Sequence, residues 1–206
     1  MTPMERYRRD CSAFFARLGT EGPQPLVFGD GRWDRPVLML IGEAPGEQEA
    51  LMGRPFVGKA GKNLETFLQA LRMRREDLYV TNVVKIRPTK LSAAGRIVNR
   101  PPSLEERALF TPWLMREVAL VRPKALVTLG NVALRAFAAD SVGRRHGAWS
   151  RAVVQAPDAA AFTLPLFSLY HPASVIYNPA LKTVYTADLR ALAASLGEGS
   201  DAPGDI

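Results

Sequence analysis

Short apolar runs alternate along the chain with longer segments in which apolar residues recur every three or four positions. A short apolar run that ends in a Gly/Pro turn is typical of a buried parallel strand, whereas the longer period indicates an amphipathic helix. The pattern predicts four strands, Val37–Ile41, Leu78–Val84, Ala125–Leu129 and Leu164–Tyr170. It predicts helices over residues 1–20, Ala60–Arg72, Ser103–Val121, Asn131–Ala139 and Lys182–Leu196.

This order of strands and helices predicts an α/β fold in which a parallel sheet is covered on both faces. Ser103 and Glu106 have the spacing of a capping box, which supports the start of the longest helix. The segment Arg87–Pro102 is expected to be a long irregular loop, and Gly197–Ile206 a flexible tail. With 206 residues, a single domain over 1–206 is expected.

Composition narrows the class of protein. Hydrophobic residues make up 47% and charged residues 23%, an ordinary globular balance. No apolar run reaches the roughly 18 residues of a membrane span, and the first residues do not resemble a secretory signal, so a cytoplasmic protein without a membrane partner is expected. The formal net charge of +7 suggests a polyanionic partner, although basic proteins also bind many molecules non-specifically.

Three loops follow predicted strands, Gly42–Gly61, Asn82–Arg100 and His171–Pro179. In a parallel sheet such loops meet at the carboxyl edge, where ligands bind. The first loop contains a near match to a phosphate-binding P-loop. That interpretation is rejected because Ala60 stands where the motif needs a hydroxyl for Mg²⁺.

Each loop carries one candidate for ligand recognition. Phe56 offers a surface on which a flat base can stack, or is a core residue. Asn82 has a donor and an acceptor with which to read the edge of a base, or caps a turn. His171 is one of two histidines and follows a strand at the edge of the sheet where ligands bind. It either takes part in catalysis or has a purely structural role.

Together these motifs resemble the family-four uracil-DNA glycosylases. The resemblance runs from about Phe28 to Leu192 and is carried by Gly42-Glu43-Ala44-Pro45-Gly46, Gly53-Arg54-Pro55-Phe56-Val57-Gly58-Lys59-Ala60-Gly61, Thr81-Asn82 and His171-Pro172. It implies a three-layer α/β/α fold with a central, mostly parallel, four-stranded sheet. It also implies excision of uracil from single- or double-stranded DNA, by a protein expected to be a monomer.

The resemblance assigns roles to residues of the three loops. Gly42, Ala44, Phe56 and Asn82 would bind the flipped uracil, with Phe56 stacking on the base and Asn82 reading its edge. His171 would stabilise the charge that develops on uracil. Glu43 and Glu49 are both candidates to orient the water or stabilise the sugar cation, and Ala44 stands where other glycosylase families keep a water-activating acid.

A second group of residues is expected to contact DNA. The loop after His171 would enter the minor groove, or else pack on the core. The insertion Thr89–Val98 resembles one in family X, in which a histidine captures DNA covalently; Val98 stands in its place, so no capture is expected. The predicted DNA-binding residues are Lys59, Lys90, Arg96, Asn99, Arg100, Ser174, Ile176 and Tyr177.

The cysteines depart from the family pattern. Family-four enzymes usually hold a [4Fe–4S] cluster with four cysteines, but Cys11 is the only cysteine here. Phe14, Ile86 and Phe110 occupy the other three positions. One thiolate cannot hold such a cluster, so no metal and no cofactor are expected, and these side chains should form a hydrophobic cluster.

The sequence leaves two alternative functions open. One is a DNA-binding protein of the same fold that has weak or no catalysis. The other is a glycosylase for a different deaminated base, such as hypoxanthine or xanthine.

Overall fold

The four predicted strands form the parallel centre of one sheet. The structure, a computed structural model, describes residues 1–18 and 25–197, without the side chains at 59, 60, 62, 63 and 176. Within it, β2 (Leu38–Gly42), β3 (Tyr79–Asn82), β6 (Ala125–Leu129) and β8 (Phe162–Leu169) run parallel in the order β3-β2-β6-β8. Two antiparallel edge strands, β1 (Asp30–Gly31) beside β3 and β7 (Trp149–Val154) beside β8, extend the sheet to six strands. The prediction of a mostly parallel α/β sheet is confirmed.

Helices cover both faces of this sheet. They are α1 (Pro3–Arg17), α2 (Glu47–Met52), α3 (Lys59–Leu71), α4 (Leu104–Val121), α5 (Gly130–Arg135), α6 (Val142–Arg145), α7 (Pro172–Tyr177) and α8 (Leu181–Gly197), with a short 3-10 helix at Arg75–Asp77. The longer ones match the predicted helices within a few residues. No helix in the described part of the chain is long and apolar enough to cross a membrane.

Two hydrophobic cores separate the three layers. On β2, Met39 and Ile41 face a core formed with α1, α4 and α5, while Leu38 and Leu40 face a second core formed with α3 and α8. Because both faces of the strand are buried, its sequence is a continuous apolar run rather than an alternation. The capping box of α4 is present, with Glu106 N donating to Ser103 Oγ at 3.1 Å and Ser103 N donating to Glu106 at 2.6 Å.

The expectation of an irregular loop over Arg87–Pro102 is wrong. Strands β4 (Thr89–Leu91) and β5 (Ile97–Asn99) pair antiparallel, so the insertion is a β-hairpin. Its turn contains Gly95 at a φ of +71°, a conformation that glycine adopts without a steric penalty. The strands are three residues long and mostly exposed, so they lack the apolar alternation that marks a strand packed on a core. The predicted tail lies, from residue 198 onward, outside the described residues.

The side chains at the four cysteine positions do not all join one cluster. Cys11 is fully buried in the core between α1 and the sheet, with Phe110 buried and Ile86 half-buried against the same core. Phe14, in contrast, is 38% exposed and contacts Trp113 at the periphery of this core. Phe15 lies one helical turn after Cys11 and stacks on Phe110 instead, with ring centroids 4.1 Å apart. The hydrophobic cluster is therefore built with Phe15 rather than Phe14.

Candidate active site

A cleft of about 690 Å³ opens at the carboxyl ends of the parallel strands. It is bounded by the loops after β2, β3 and β8 and by the hairpin β4–β5. Its lining brings together residues that lie far apart in the sequence: Ala44, Gly46, Glu47, Gln48, Glu49, Phe56, Gly58, Asn82, Arg87, Ile97, Val98, Asn99, His171, Ala173 and Tyr177. Among them are the three loop residues singled out for base recognition and catalysis.

Close packing around Gly42 shapes the inner end of the cleft. A Cβ atom on Gly42 would overlap Asn82 Oδ1 and would lie 2.6 Å from Phe56 Cζ. Both neighbours are nearly buried, with Asn82 3% and Phe56 5% exposed. The missing side chain thus allows an amide and an aromatic ring to approach the same backbone.

Phe56 is held in an unusual backbone conformation. Its φ is 54°, in the left-handed region that residues with a side chain rarely adopt. The Arg75 guanidinium donates to the carbonyl of Phe56 at 3.1 Å and to that of Pro55 at 2.5 Å. A Cβ on Gly61 would overlap the Phe56 carbonyl oxygen, so the start of α3 packs directly on this peptide. The ring is therefore positioned by its neighbours rather than by local preference.

Glu49 is used as a brace inside the first loop. One carboxylate oxygen accepts from the amides of Val57 (3.1 Å) and Gly58 (2.8 Å), and the other accepts from Gly46 (3.1 Å). The residue is only 6% exposed. These bonds tie the start of α2 to the segment that carries Phe56, and they occupy both oxygens of the carboxylate.

Glu43 is not among the residues that line the cleft, although its neighbour Ala44 is. Burial raises the pKa of the Glu43 carboxyl above its ordinary value, and the nearby Arg107 partly offsets this rise. Its backbone carbonyl accepts from the amide of Val84 at 3.1 Å, which joins the loops after β2 and β3.

His171 occupies the N-cap of α7, where its ring caps the helix. Its Nδ1 accepts from the Ala173 amide at 3.1 Å. An Nδ1 that accepts cannot carry the proton, so the neutral ring is protonated at Nε2, which is then a donor. Burial lowers the pKa of His171 and favours this neutral form. Gly130 lies against the main chain and Cβ of His171, where an added Cβ would sit 3.0 Å from the Cβ of His171.

The hairpin forms one wall of the cleft, which the sequence reasoning did not foresee. Ile97, Val98 and Asn99 all line it, and Arg87 donates to Asn99 Oδ1 at 2.7 Å while pairing with Glu47 at 3.2 Å. Ile97 is 63% exposed. The sequence placed Arg87 only at the start of the segment Arg87–Pro102, next to Ile86 at one of the family's cysteine positions.

The predicted DNA-binding residues fall into different environments. Lys90, Arg96 and Asn99 are exposed on the hairpin, and Tyr177 at the end of α7 is 88% exposed. Arg100 instead forms a two-bond ion pair with Glu106, at 2.7 Å for each bond, and donates to the Thr89 carbonyl. Ser174 is half-buried in α7. The side chains of Lys59 and Ile176 lie outside those described.

Comparison with known proteins places the chain in a family. The Uracil DNA glycosylase superfamily matches residues 28–192, which include every loop of the cleft. The chain belongs to this superfamily. Among curated relatives, it is 34% identical to the type-4 uracil-DNA glycosylase of Archaeoglobus fulgidus, over 78% of this chain and 77% of that one. It is 35% identical to the type-4 uracil-DNA glycosylase of Pyrobaculum aerophilum, over 91% of this chain and 84% of that one. It is 32% identical to the type-5 uracil-DNA glycosylase of the same organism, over 80% of this chain and 78% of that one.

The resemblance to the family-four glycosylases is thereby confirmed, but the residues present do not fit the iron–sulfur cluster that this resemblance implies. Such a cluster is held by four Cys thiolates, and Cys11 is the only cysteine of the chain. Burial raises the pKa of the Cys11 thiol to about 12, as expected for a side chain packed in an apolar core. Within the described residues, no group of three or more His, Cys, Asp or Glu side chains is arranged to hold a metal ion.

The brace at Glu49 leads to a stability prediction. Replacing Glu49 by Gln puts an N–H group against backbone amides that need an acceptor, so the free energy of unfolding should fall by about 1–3 kcal/mol. Urea denaturation followed by circular dichroism measures this loss. The matched control is Glu47→Gln in the same helix, where the side chain is 58% exposed and the change should cost less than about 1 kcal/mol. Equal losses in the two variants would contradict the assigned brace.

Proposed function

We propose that this protein is a DNA-repair enzyme that excises uracil by hydrolysing its N-glycosidic bond and leaves an abasic site. The observation that carries the proposal is the convergence of Phe56, Asn82 and His171 on one cleft in a chain of this superfamily. The relatives named type-4 uracil-DNA glycosylase support the same activity. DNA is accordingly the proposed partner.

Base recognition would use the inner end of the cleft. A uracil cannot be reached inside a duplex, so it must be flipped out of the base stack. The Phe56 ring would stack on it, and the Asn82 amide would offer one donor and one acceptor to its edge. Cytosine reverses one of these groups, so Asn82 would disfavour it. Gly42 and Ala44 would let the backbone approach the base closely.

His171 would assist departure of the base. Breaking the glycosidic bond places negative charge on uracil, and an Nε2–H donor stabilises this charge more in the transition state than in the bound substrate. The bond from the Ala173 amide to Nδ1 favours the tautomer that this role needs. Removing one such donor typically costs about 10²–10³ in rate.

The two glutamates are proposed to have different roles. Because the carboxylate of Glu49 accepts three backbone amides, we assign it to positioning the loop that carries Phe56. Glu43 remains the candidate to orient the water or to stabilise the sugar cation, and burial raises the pKa of its carboxyl.

The DNA interface would extend over the rim of the cleft. The exposed Lys90 and Arg96 of the hairpin are proposed to contact phosphates, which makes binding salt-dependent. Tyr177 is proposed to enter the groove beside the flipped base. The ion pair of Arg100 with Glu106 favours a role in anchoring the hairpin. DNA contacts by Lys59, Asn99, Ser174 and Ile176, the monomeric state and a cytoplasmic location stay predictions.

Excision assays with single-lesion oligonucleotides test the proposed function. The protein should cut uracil-containing DNA after alkaline heating, and His171→Ala should lower the single-turnover rate by about 10²–10³ while DNA affinity changes little. The control is the chain's other histidine. His146 pairs with Asp188 at 2.9 Å and is not among the residues that line the cleft, so a folded His146→Ala variant should keep the rate.

The same assay separates the alternatives. Cleavage only at hypoxanthine or xanthine would indicate another base specificity, and DNA binding without cleavage of any lesion would indicate a binding protein. An unchanged excision rate in His171→Ala would remove this residue from the chemistry.

The pH dependence of excision should reflect a neutral His171. Its pKa lies below the ordinary value of about 6.5, so the donor form is complete at neutral pH. The single-turnover rate should therefore not fall as the pH rises from 6.5 to 8. Protonation of Nδ1 at lower pH would break the bond from Ala173, so this contribution to folding stability should be lost as the pH falls from about 6.5 through the folded-state pKa. A rate that declines from pH 6.5 to 8 would instead indicate a protonated histidine.

We also propose that the enzyme works without an iron–sulfur cluster, because one cysteine and large apolar side chains occupy the ligand positions. Purified protein should be colourless and contain less than stoichiometric iron by metal analysis. A broad absorption band near 400 nm together with stoichiometric iron would contradict this prediction.

A further inference from the structure

A fully buried ion pair lies beside the residue proposed to read the base. Lys85 Nζ and Glu117 Oε2 are 2.6 Å apart, and both side chains are 0% exposed. Glu117 comes from α4 and Lys85 from the segment just after β3. Removing two charges from water is costly, and their attraction repays the cost only with good geometry and further hydrogen bonds.

Those further bonds all lead to residues of β3. The Lys85 ammonium donates to the hydroxyl of Thr81 and to the main-chain carbonyl of Asn82, each at 2.6 Å. Glu117 also accepts from the Thr81 hydroxyl at 3.1 Å and from the Tyr79 hydroxyl at 2.9 Å. The ammonium thus has an acceptor for each of its three protons, and one acceptor belongs to Asn82.

Asn82 is held from a second direction by the neighbouring strand. The amide of Val83 donates to the carbonyl of Gly42 at 2.9 Å, and that of Val84 donates to Glu43 at 3.1 Å. With β3 fixed beside β2 and its last carbonyl fixed by Lys85, little freedom remains in the peptide that carries the Asn82 side chain. The amide then projects into the space left by the missing side chain of Gly42.

We propose that Lys85 and Glu117 are positioning residues for base recognition, which hold Asn82 in the orientation that reads the flipped pyrimidine. This inference rests on the proposed function. A buried ion pair is by itself weak evidence for a stabilising role, since neutral side chains of similar volume often replace one without loss. The bond to the Asn82 carbonyl gives this pair a task that an apolar pair cannot perform.

The test needs a variant that removes the positioning bond without leaving a buried charge. Lys85→Met combined with Glu117→Gln is neutral and similar in volume, and the Gln amide oxygen can still accept from Tyr79 and Thr81. The single variant Lys85→Met leaves Glu117 charged and unpaired, so it should lose much more stability than the double variant. The melting temperatures of both variants measure how much the ion pair contributes to folding stability, separately from its effect on excision.

The positioning role predicts that the double variant acts through Asn82. Its single-turnover rate of uracil excision should fall by about 10–100-fold, as expected for a recognition group displaced by a fraction of an ångström. In an Asn82→Ala background the same double change should alter the rate by less than about threefold, because groups that act together are not additive. In a His171→Ala background the double change should still lower the single-turnover rate by about 10–100-fold.

Val118→Ala is the matched control, since Val118 is the next residue of α4 and is fully buried without belonging to the network. It should lower stability and leave the excision rate of the folded protein unchanged. An equal fold-change of the double variant with and without Asn82, or no change at all, would overturn the proposal. If the double variant does not fold, Thr81→Val serves instead, and its loss should likewise vanish in the Asn82→Ala background.

Nuclear magnetic resonance separates this inference from the proposed function. The side-chain amide resonances of Asn82 should shift in the double variant and stay in place in Val118→Ala, whatever reaction the enzyme catalyses. A wild-type protein that releases no uracil would refute the proposed function, and the resonances would then decide the positioning role. Resonances that do not move in the folded double variant would overturn it.

Discussion

The arrangement of the cleft depends on a steric constraint at Gly42. This residue ends the central strand β2, and the side chains of Asn82 and Phe56 fill the volume that its own side chain would take. An amide and an aromatic ring can meet there only because one backbone position carries no Cβ. The recognition of a flat base with polar edges, as proposed for this protein, follows from that convergence.

Two buried charged side chains, those of Glu49 and Lys85, hold main-chain segments in place through hydrogen bonds. The carboxylate of Glu49 collects three amides from the two ends of one loop, and the ammonium of Lys85 reaches the carbonyl that ends β3. Bonds to charged groups are stronger than those between neutral groups, and each of these ions is almost removed from water. They give irregular loops the rigidity that a strand or helix would otherwise provide.

At the positions where family-four enzymes hold an iron–sulfur cluster, this chain has apolar packing instead of metal ligands. Cys11, Phe15 and Phe110 form a close apolar contact between α1 and α4, with the two rings stacked. Such burial ties the N-terminal helix to the rest of the domain through non-directional contacts. A metal site would have required four thiolates at fixed distances, whereas apolar packing tolerates the shift from Phe14 to Phe15.

Much of the fold was already present in the sequence. The four short, mostly apolar runs became the four parallel strands, and the capping box at Ser103 set the start of α4, because burial on both faces and local hydrogen bonding leave direct patterns. The motifs also predicted which loops would meet, and Phe56, Asn82 and His171 do line one cleft.

The roles of several charged groups were decided only by tertiary structure. The spacing of Glu49 could not reveal that its oxygens are occupied by the amides of Val57 and Gly58, nor that Arg100 pairs with Glu106. The exposed hairpin β4–β5 left no apolar alternation, and Lys85 and Glu117 are 32 residues apart in the chain. Periodicity records which side chains are buried, whereas ion pairs and braces depend on which distant segments the fold brings within hydrogen-bond distance.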